Sequence, residues 1–145
     1  MTNNIKNIIK QKFKHGVFVY HENDKYIGKS LSEYGEWSEG EVELIKKVVS
    51  NSENIIEIGS NIGTHTVPLA KHISNGGQIF SFEPQSQNYK LLLNNIKHNE
   101  IKNANISKFA ISSKAGKAFM NLFDDKKINN YGDAKIFANK IENFE

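Results

Sequence analysis

The stretch "NIIEIGSNIGTHTVPLA", from Asn54 to Ala70, constrains the fold more than any other part of the chain. Isoleucines flank one acid, Glu57, in a run short enough for a single buried strand. Gly59 and Gly63 follow, where a chain leaving a strand must turn tightly before entering a helix. Pro68 fits the first turn of that helix, since it has no N–H to contribute there. The rhythm then repeats. "QIFSFEP" reads as a second strand, "SQNYKLLLNNIKHN" as a second helix with Tyr89, Leu92, Leu93 and Ile96 on one stripe, and "ANISKFAIS" as a third strand. Strands alternating with helices predict an α/β protein with a parallel, doubly wound, Rossmann-like sheet.

The flanks are less regular. "VFVY" and "YIG", on either side of "HENDK", predict a hairpin between Phe13 and Leu31. Ser38 and Glu41 have the spacing of a capping box, and Val42, Ile45, Val48 and Val49 mark one face of the helix it would start. After the third strand, "SKAG" turns the chain into "KAFMNLF", an expected antiparallel strand. The stretch from Asp124 to Glu145 is polar and predicts no clear element. The expected organisation is a hairpin extension over 1–33, a Rossmann-like half-domain over 34–123 and a polar tail over 124–145.

Composition narrows the function. The chain has 145 residues, a formal net charge of +3 and no cysteine, so disulfides and thiolate metal sites are excluded. The five histidines show no metal-ligand spacing, and no metal is expected. Every basic residue is a lysine; without arginine there is no bidentate clamp for phosphates or bases. The lysines are scattered among acids, which predicts a solvated surface and no nucleic-acid partner. No apolar run reaches membrane-spanning length, so no membrane partner is expected and the cytoplasm is the expected compartment. "YIGKS" ends like a phosphate-binding loop but lacks the earlier glycine, which leaves a turn as the better reading. His65 reads as a helix-terminal histidine before it reads as a general base. Glu36 and Trp37 fit either a packed corner or a lid.

In a doubly wound sheet the ligand sits beyond the C-terminal ends of the strands, where Gly59 and Gly63 fall. Glu83 ends the second strand, twenty positions after Gly63, where a carboxylate can accept bonds from both hydroxyls of a ribose. The glycine pattern is G-x-x-x-G, not the G-x-G-x-x-G of a dinucleotide site. Glu57 would repel a pyrophosphate but suits a sulfonium. S-adenosylmethionine meets that description better than NAD, and an NAD-dependent oxidoreductase is the weaker alternative.

These residues resemble the FkbM-type class I methyltransferases. "GEWSEGEVELIKKVVSNSENIIEIGSNIGTHTVPLAKHI", "IFSFEPQSQNYKLLLNNIKHN" and "KFAISSKAG" carry the resemblance, over roughly Tyr34 to Leu122. It implies a Rossmann-like methyltransferase fold, S-adenosylmethionine as cofactor and donor, and an oxygen acceptor on a sugar or small metabolite. It places Glu57, Gly59, Asn61 and Gly63 at the methionine end, Glu83 with Pro84 at the ribose, and Ala110 near the adenine. The family's fourth strand, with its "D-V-E-G"-like acid, has no counterpart before Glu145. The resemblance therefore implies a fold truncated after the third strand, with the donor half alone and no nameable catalytic residue. A homodimer or a complementing chain would complete it; a non-catalytic, split-gene donor-binding module is the alternative.

Overall fold

A computed structural model describes residues 7–124 and 126–137. The chain starts with an antiparallel hairpin, β1 (Ile8–Phe13) and β2 (Gly16–His21), in register from Ile8 opposite His21 to Phe13 opposite Gly16. This is one run earlier than the sequence predicts: "VFVY" is the second strand of the hairpin, and "YIG" opens helix α1 (Ile27–Tyr34). Asp24 is the reason. Its buried carboxylate accepts the N–H groups of Tyr26 and Gly28, both at 3.1 Å, and satisfies the free donors that start a helix. Gly28 is also sterically required, because a Cβ there would lie 2.5 Å from the His21 carbonyl oxygen.

Helix α2 (Glu39–Val48) forms without the expected capping box. Ser38 is left-handed (φ 49°), and from that backbone its hydroxyl makes no capping bond; its carbonyl instead accepts Glu41 N–H at 2.9 Å. Glu39 and Glu41 in the first turn and Lys46 and Lys47 in the last complement the helix dipole. Val42 is fully buried, Ile45 and Val49 pack on the core, and Val48 faces solvent. Glu39 also ties α2 to the hairpin turn through Lys14 (2.7 Å) and His15 (2.6 Å). Burial raises its carboxyl, but these two partners outweigh that and bring it down to about 2.

The centre is a parallel sheet of β3 (Ile55–Ile58), β4 (Ile79–Phe82) and β5 (Ala104–Ser107), with β4 in the middle. Helix α3 (Thr66–His72), with Pro68 in its first turn as expected, and helix α4 (Ser86–His98) connect the strands. Period-two alternation sends Ile79 and Ser81 into the interior and Ile56, Ile58 and Phe80 to the other face. Parallel sheets are normally covered on both faces. Here Ile56 is 70% exposed and Ile58 64%.

The buried stripe of α4 is Asn88, Leu91, Leu92 and Asn95, while Leu93, expected inside, is exposed. Asn95 and Asn99 bond the edge of β2. Asn95 accepts Val19 N–H (2.6 Å) and donates to the carbonyls of Val19 (3.1 Å) and Ile62 (2.8 Å); Asn99 accepts Val17 N–H (3.0 Å) and donates to Val17 O (2.7 Å). Consequently the expected hairpin extension is not a separate unit. Phe18, Tyr20, Ile27 and Leu31 share one core with Ile62, Val67 and Leu91.

The polar tail also has structure. β6 (Phe119–Met120) pairs antiparallel with β7 (Ile136–Phe137), and the segment between them returns across the molecule with Tyr131 buried. Residues 138–145 of that tail lie outside the described residues. No helix among the described residues is long and apolar enough to cross a membrane.

Two outcomes follow. Asn95→Ala leaves three buried backbone groups without their partner, so urea unfolding should show a loss of about 2–4 kcal/mol. Ile56→Glu with Ile58→Glu removes apolar surface that invites association. Sedimentation velocity should show the 145-residue chain associating with rising concentration, and the double variant associating less at an unchanged melting temperature.

Candidate functional site

The loop after β3 is built by left-handed residues: Gly59 (φ 82°), Asn61 (φ 49°) and Gly63 (φ 88°). The first two N–H groups of the loop, Gly59 and Ser60, both donate to Phe82 O, at 2.9 and 3.1 Å, which docks the turn on the end of β4. Gly63 must be glycine for a second reason: a Cβ would stand 2.6 Å from Leu92 Cδ1, where the loop presses on α4.

Two carboxylates hold this loop from different sides. Glu57 turns beneath it, where its Oε2 accepts the hydroxyls of Thr66 (2.5 Å) and Ser81 (2.9 Å). Burial pushes the Glu57 carboxyl above the ordinary carboxylate range, against the lowering effect of those two hydroxyls. Glu83, 5% exposed, ends β4 and accepts Asn61 N–H through Oε2 (2.8 Å) and Gln85 N–H through Oε1 (2.9 Å). Burial raises its carboxyl too; the two backbone donors lower it, and the negative charge of Glu57 raises it further. The Asn88 side chain also bonds the Glu83 carboxylate and lowers it, so of its roughly four acceptor positions about one stays open.

Beside Glu83 lies a cavity of about 230 Å³. Of the residues singled out from the sequence, Gly59, Asn61, Glu83, Pro84 and Ala110 line it together. Glu57 and Gly63 do not; they act from behind the loop, one through Thr66 and Ser81 and the other against Leu92. His65, at the start of α3, stands 3.5 Å from Glu41 and is not on the cavity wall. Trp37 packs on the hydrophobic core, which favours the corner reading of Glu36 and Trp37.

Sequence reading missed the residues that close the site. Asn88 and Tyr131 stand on the cavity wall with Met120 and Ile136. The Tyr131 carbonyl accepts the side-chain amides of Asn88 (2.9 Å) and Asn61 (3.3 Å), while its ring stacks on His21 at 4.1 Å and 7° and meets Phe123 at 4.7 Å. Lys25 N–H donates to Asn129 O (2.8 Å) and Asn129 N–H to Asn23 O (3.1 Å), fastening the segment between β6 and β7, a strap beside the cavity, to the turn after β2. The available signal was an aromatic, Tyr131, directly before a glycine in a largely polar stretch. At about 230 Å³ the cavity is smaller than the ~300–1,000 Å³ common for ligand pockets. Among the described residues no three histidines, aspartates or glutamates gather as a metal site would require.

Residues 31–138 match the family model of the TRM5/TYW2 methyltransferase domain. Solved structures share the fold. M. jannaschii TYW2 in complex with AdoMet is 22% identical, with 69% of this chain and 42% of that one covered at a TM-score of 0.51. Trm5b from Pyrococcus abyssi is 17% identical, over 69% and 27% of the two chains, with a TM-score of 0.53. The complex of aTrm5 with tRNALeu gives 21% identity over 70% and 28%, at 0.50. The chain thus spans less than half the length of these relatives. No curated protein sequence matches it.

These findings bear out the class I methyltransferase fold, and the AdoMet in M. jannaschii TYW2 is the cofactor expected from the sequence. They correct two expectations. The family is not the FkbM type: the motifs behind that resemblance all belong to the donor side, and they fix the class without fixing the acceptor. The expectation of a sugar or small-metabolite acceptor and no nucleic-acid partner is overturned by the TRM5/TYW2 match together with the tRNA complex of a Trm5. Counting charge over the whole chain averaged away the segment from Ile101 to Phe123, which has four lysines and no acid.

Tyr131→Ala should remove the stack and loosen the strap, while Tyr131→Phe keeps both ring contacts. Hydrogen exchange should quicken at Asn61 to Gly63 in the alanine variant only, with a stability loss of about 3–5 kcal/mol for a buried aromatic.

Proposed function

The chain belongs to the TRM5/TYW2 methyltransferase-domain family, and from this membership we propose that it takes part in S-adenosylmethionine-dependent methylation of RNA, of the tRNA type. The observation that carries the donor half is the position of Glu83. It lies at the C-terminal end of β4, bonded to the loop after β3 and open to a cavity. That is where a doubly wound sheet receives a nucleoside.

Bound there, S-adenosylmethionine would supply a methyl group already activated by its sulfonium. With Asn61, Gln85 and Asn88 already on its carboxylate, Glu83 would accept a ribose hydroxyl at the acceptor position they leave open. Pro84 and Ala110, on the cavity wall, would flank the base, and Gly59 and Asn61 would hold the methionine end. Glu57 acts indirectly. It holds the loop through Thr66 and Ser81, and its charge behind the loop favours a cationic centre over a pyrophosphate. Transfer is an in-line displacement whose rate depends on alignment and on the exclusion of water. The strap at Tyr131 closes the donor side.

A second reading, a donor-binding module completed by another polypeptide, is supported by the uncovered face at Ile56 and Ile58. Release of S-adenosylhomocysteine on a tRNA acceptor separates the two. Turnover by the chain alone supports the first reading, and donor binding without turnover supports the second.

Calorimetry should show S-adenosylmethionine bound in preference to NAD, and tighter NAD binding would overturn the assignment. Glu83→Ala should weaken the donor by about 1.5–3 kcal/mol, the range for a bond to a charged acceptor. The donor requires Glu57 and Glu83 ionised, and burial raises both. Affinity should therefore rise with pH through and above the ordinary carboxylate range, with protons released on binding and detected by comparing buffers of different ionisation enthalpy.

A further inference from the structure

We propose that the open cleft next to the donor cavity is a docking site for single-stranded RNA, in which Lys108, Lys114 and Lys117 meet phosphates and Phe109 stacks on a base. The cleft, of about 870 Å³, lies along the loop from Lys108 to Ala118. It shares Pro84, Phe109, Ala110, Ile111, Met120 and Ile136 with the donor cavity, so a strand lying in it runs directly against the donor. The proposal rests on the RNA reading above and assigns it a surface.

Charge and exposure carry the argument. Between Ile101 and Phe123 the chain has Lys102, Lys108, Lys114 and Lys117 and no acid, a local +4 in a chain whose total is +3. Elsewhere four lysines stand in ion pairs: Lys14 with Glu39, Lys29 with Glu33, Lys46 with Glu43 and Lys127 with Asp124. Among the described residues no carboxylate pairs with Lys114 or Lys117. Lys108 donates to the Ser86 hydroxyl in the first turn of α4, which holds its ammonium near the cleft mouth. Phe109 is 68% exposed and stands on the wall common to the cleft and the donor cavity, with a large aromatic face open to solvent. Lysines beside an exposed aromatic are what a single strand needs: point charges for its backbone and a flat partner for an unstacked base. The absence of arginine means that the cleft positions RNA and does not read its bases.

The test uses the full chain and a fluorescently labelled oligouridylate, followed by anisotropy over a range of salt, with S-adenosylmethionine titrated in parallel. Three phosphate contacts predict a slope of log affinity against log salt of about −2. Lys108→Gln, Lys114→Gln and Lys117→Gln together should weaken RNA binding at least tenfold and flatten the slope, with melting temperature and donor affinity retained. Phe109→Ala should weaken RNA binding by about tenfold with the slope unchanged. No RNA binding by the wild-type chain, or a triple variant that binds like wild type, overturns the proposal. Equal binding of polyglutamate with no effect of Phe109→Ala would also overturn it, and would assign the cleft to an acidic polypeptide. RNA binding without donor binding would leave the cleft standing and remove the methyltransferase reading instead.

Discussion

Asn95 on α4 and Asn99 at its C-terminal cap hold this structure together. Asn95 and Asn99 are one helical turn apart, and they bond the backbone of Val19 and Val17, two residues apart on β2. The spacings agree: four helical residues advance about 6 Å and two strand residues about 6.6 Å. Each side-chain amide presents the same donor and acceptor pair as a peptide group. The helix therefore pairs with the strand edge as a neighbouring strand would, and it quiets an edge that would otherwise attract other chains. Asn95 reaches the Ile62 carbonyl as well, so one side chain joins the hairpin, the glycine loop and α4. The N-terminal end of the same helix presents Asn88 to the Tyr131 carbonyl, and the Gln85 side chain caps it by accepting from Gln87 and Asn88 N–H. Glu83 sits two residues before that cap. Its position follows from α4, and the position of α4 follows from the asparagines.

The two carboxylates around the loop make a site with a definite electrostatic preference. Both are held above their ordinary range by burial, and the charge on Glu57 makes ionising Glu83 harder. An added anion would worsen every one of these terms, whereas a cation with hydroxyls to offer relieves them. This agrees with the reading of the G-x-x-x-G loop as a sulfonium site. It also shows why Glu57 can matter without lining the cavity. Its hydrogen bonds to Thr66 and Ser81 set the loop, and its field acts through it.

The parts of the fold legible in the sequence are those written in apolar periodicity or in glycine. The strands from Ile55, Ile79 and Ala104, the loop at Gly59 and Gly63, and Glu83 at the end of its strand follow from those signals. The failures share a cause, which is that polar residues were read as solvated. Asn88 and Asn95 occupy buried positions on α4 at the expense of Leu93, because a strand edge and a carbonyl need partners more than the core needs another leucine. Asp24 ends the hairpin with a turn that apolar runs cannot reveal. Ser38 has the right spacing for a cap and the wrong backbone, and φ is not encoded in a four-residue pattern. The strap was hidden for the same reason, since its contacts to Asn23, Asn61 and Asn88 are amide and backbone bonds.

The least strongly built part of the molecule is also where ligands must enter. β6 and β7 pair over only two residues each, and such a ribbon has little stability of its own. What keeps it in place is Tyr131: its ring between His21 and Phe123, its carbonyl taking two amides. Backbone bonds to Lys25 and Asn23 and the Gln87 side chain on Phe123 hold it at further points. A segment tied by such a small set of contacts can open locally and return to the same register. Met120 and Ile136, from the two strands of this ribbon, stand in the wall between the donor cavity and the lysine cleft. Any movement of this ribbon would therefore reshape both cavities at once. Coupling of the two sites needs no path through the core; it requires only that both ligands prefer one position of the same short ribbon.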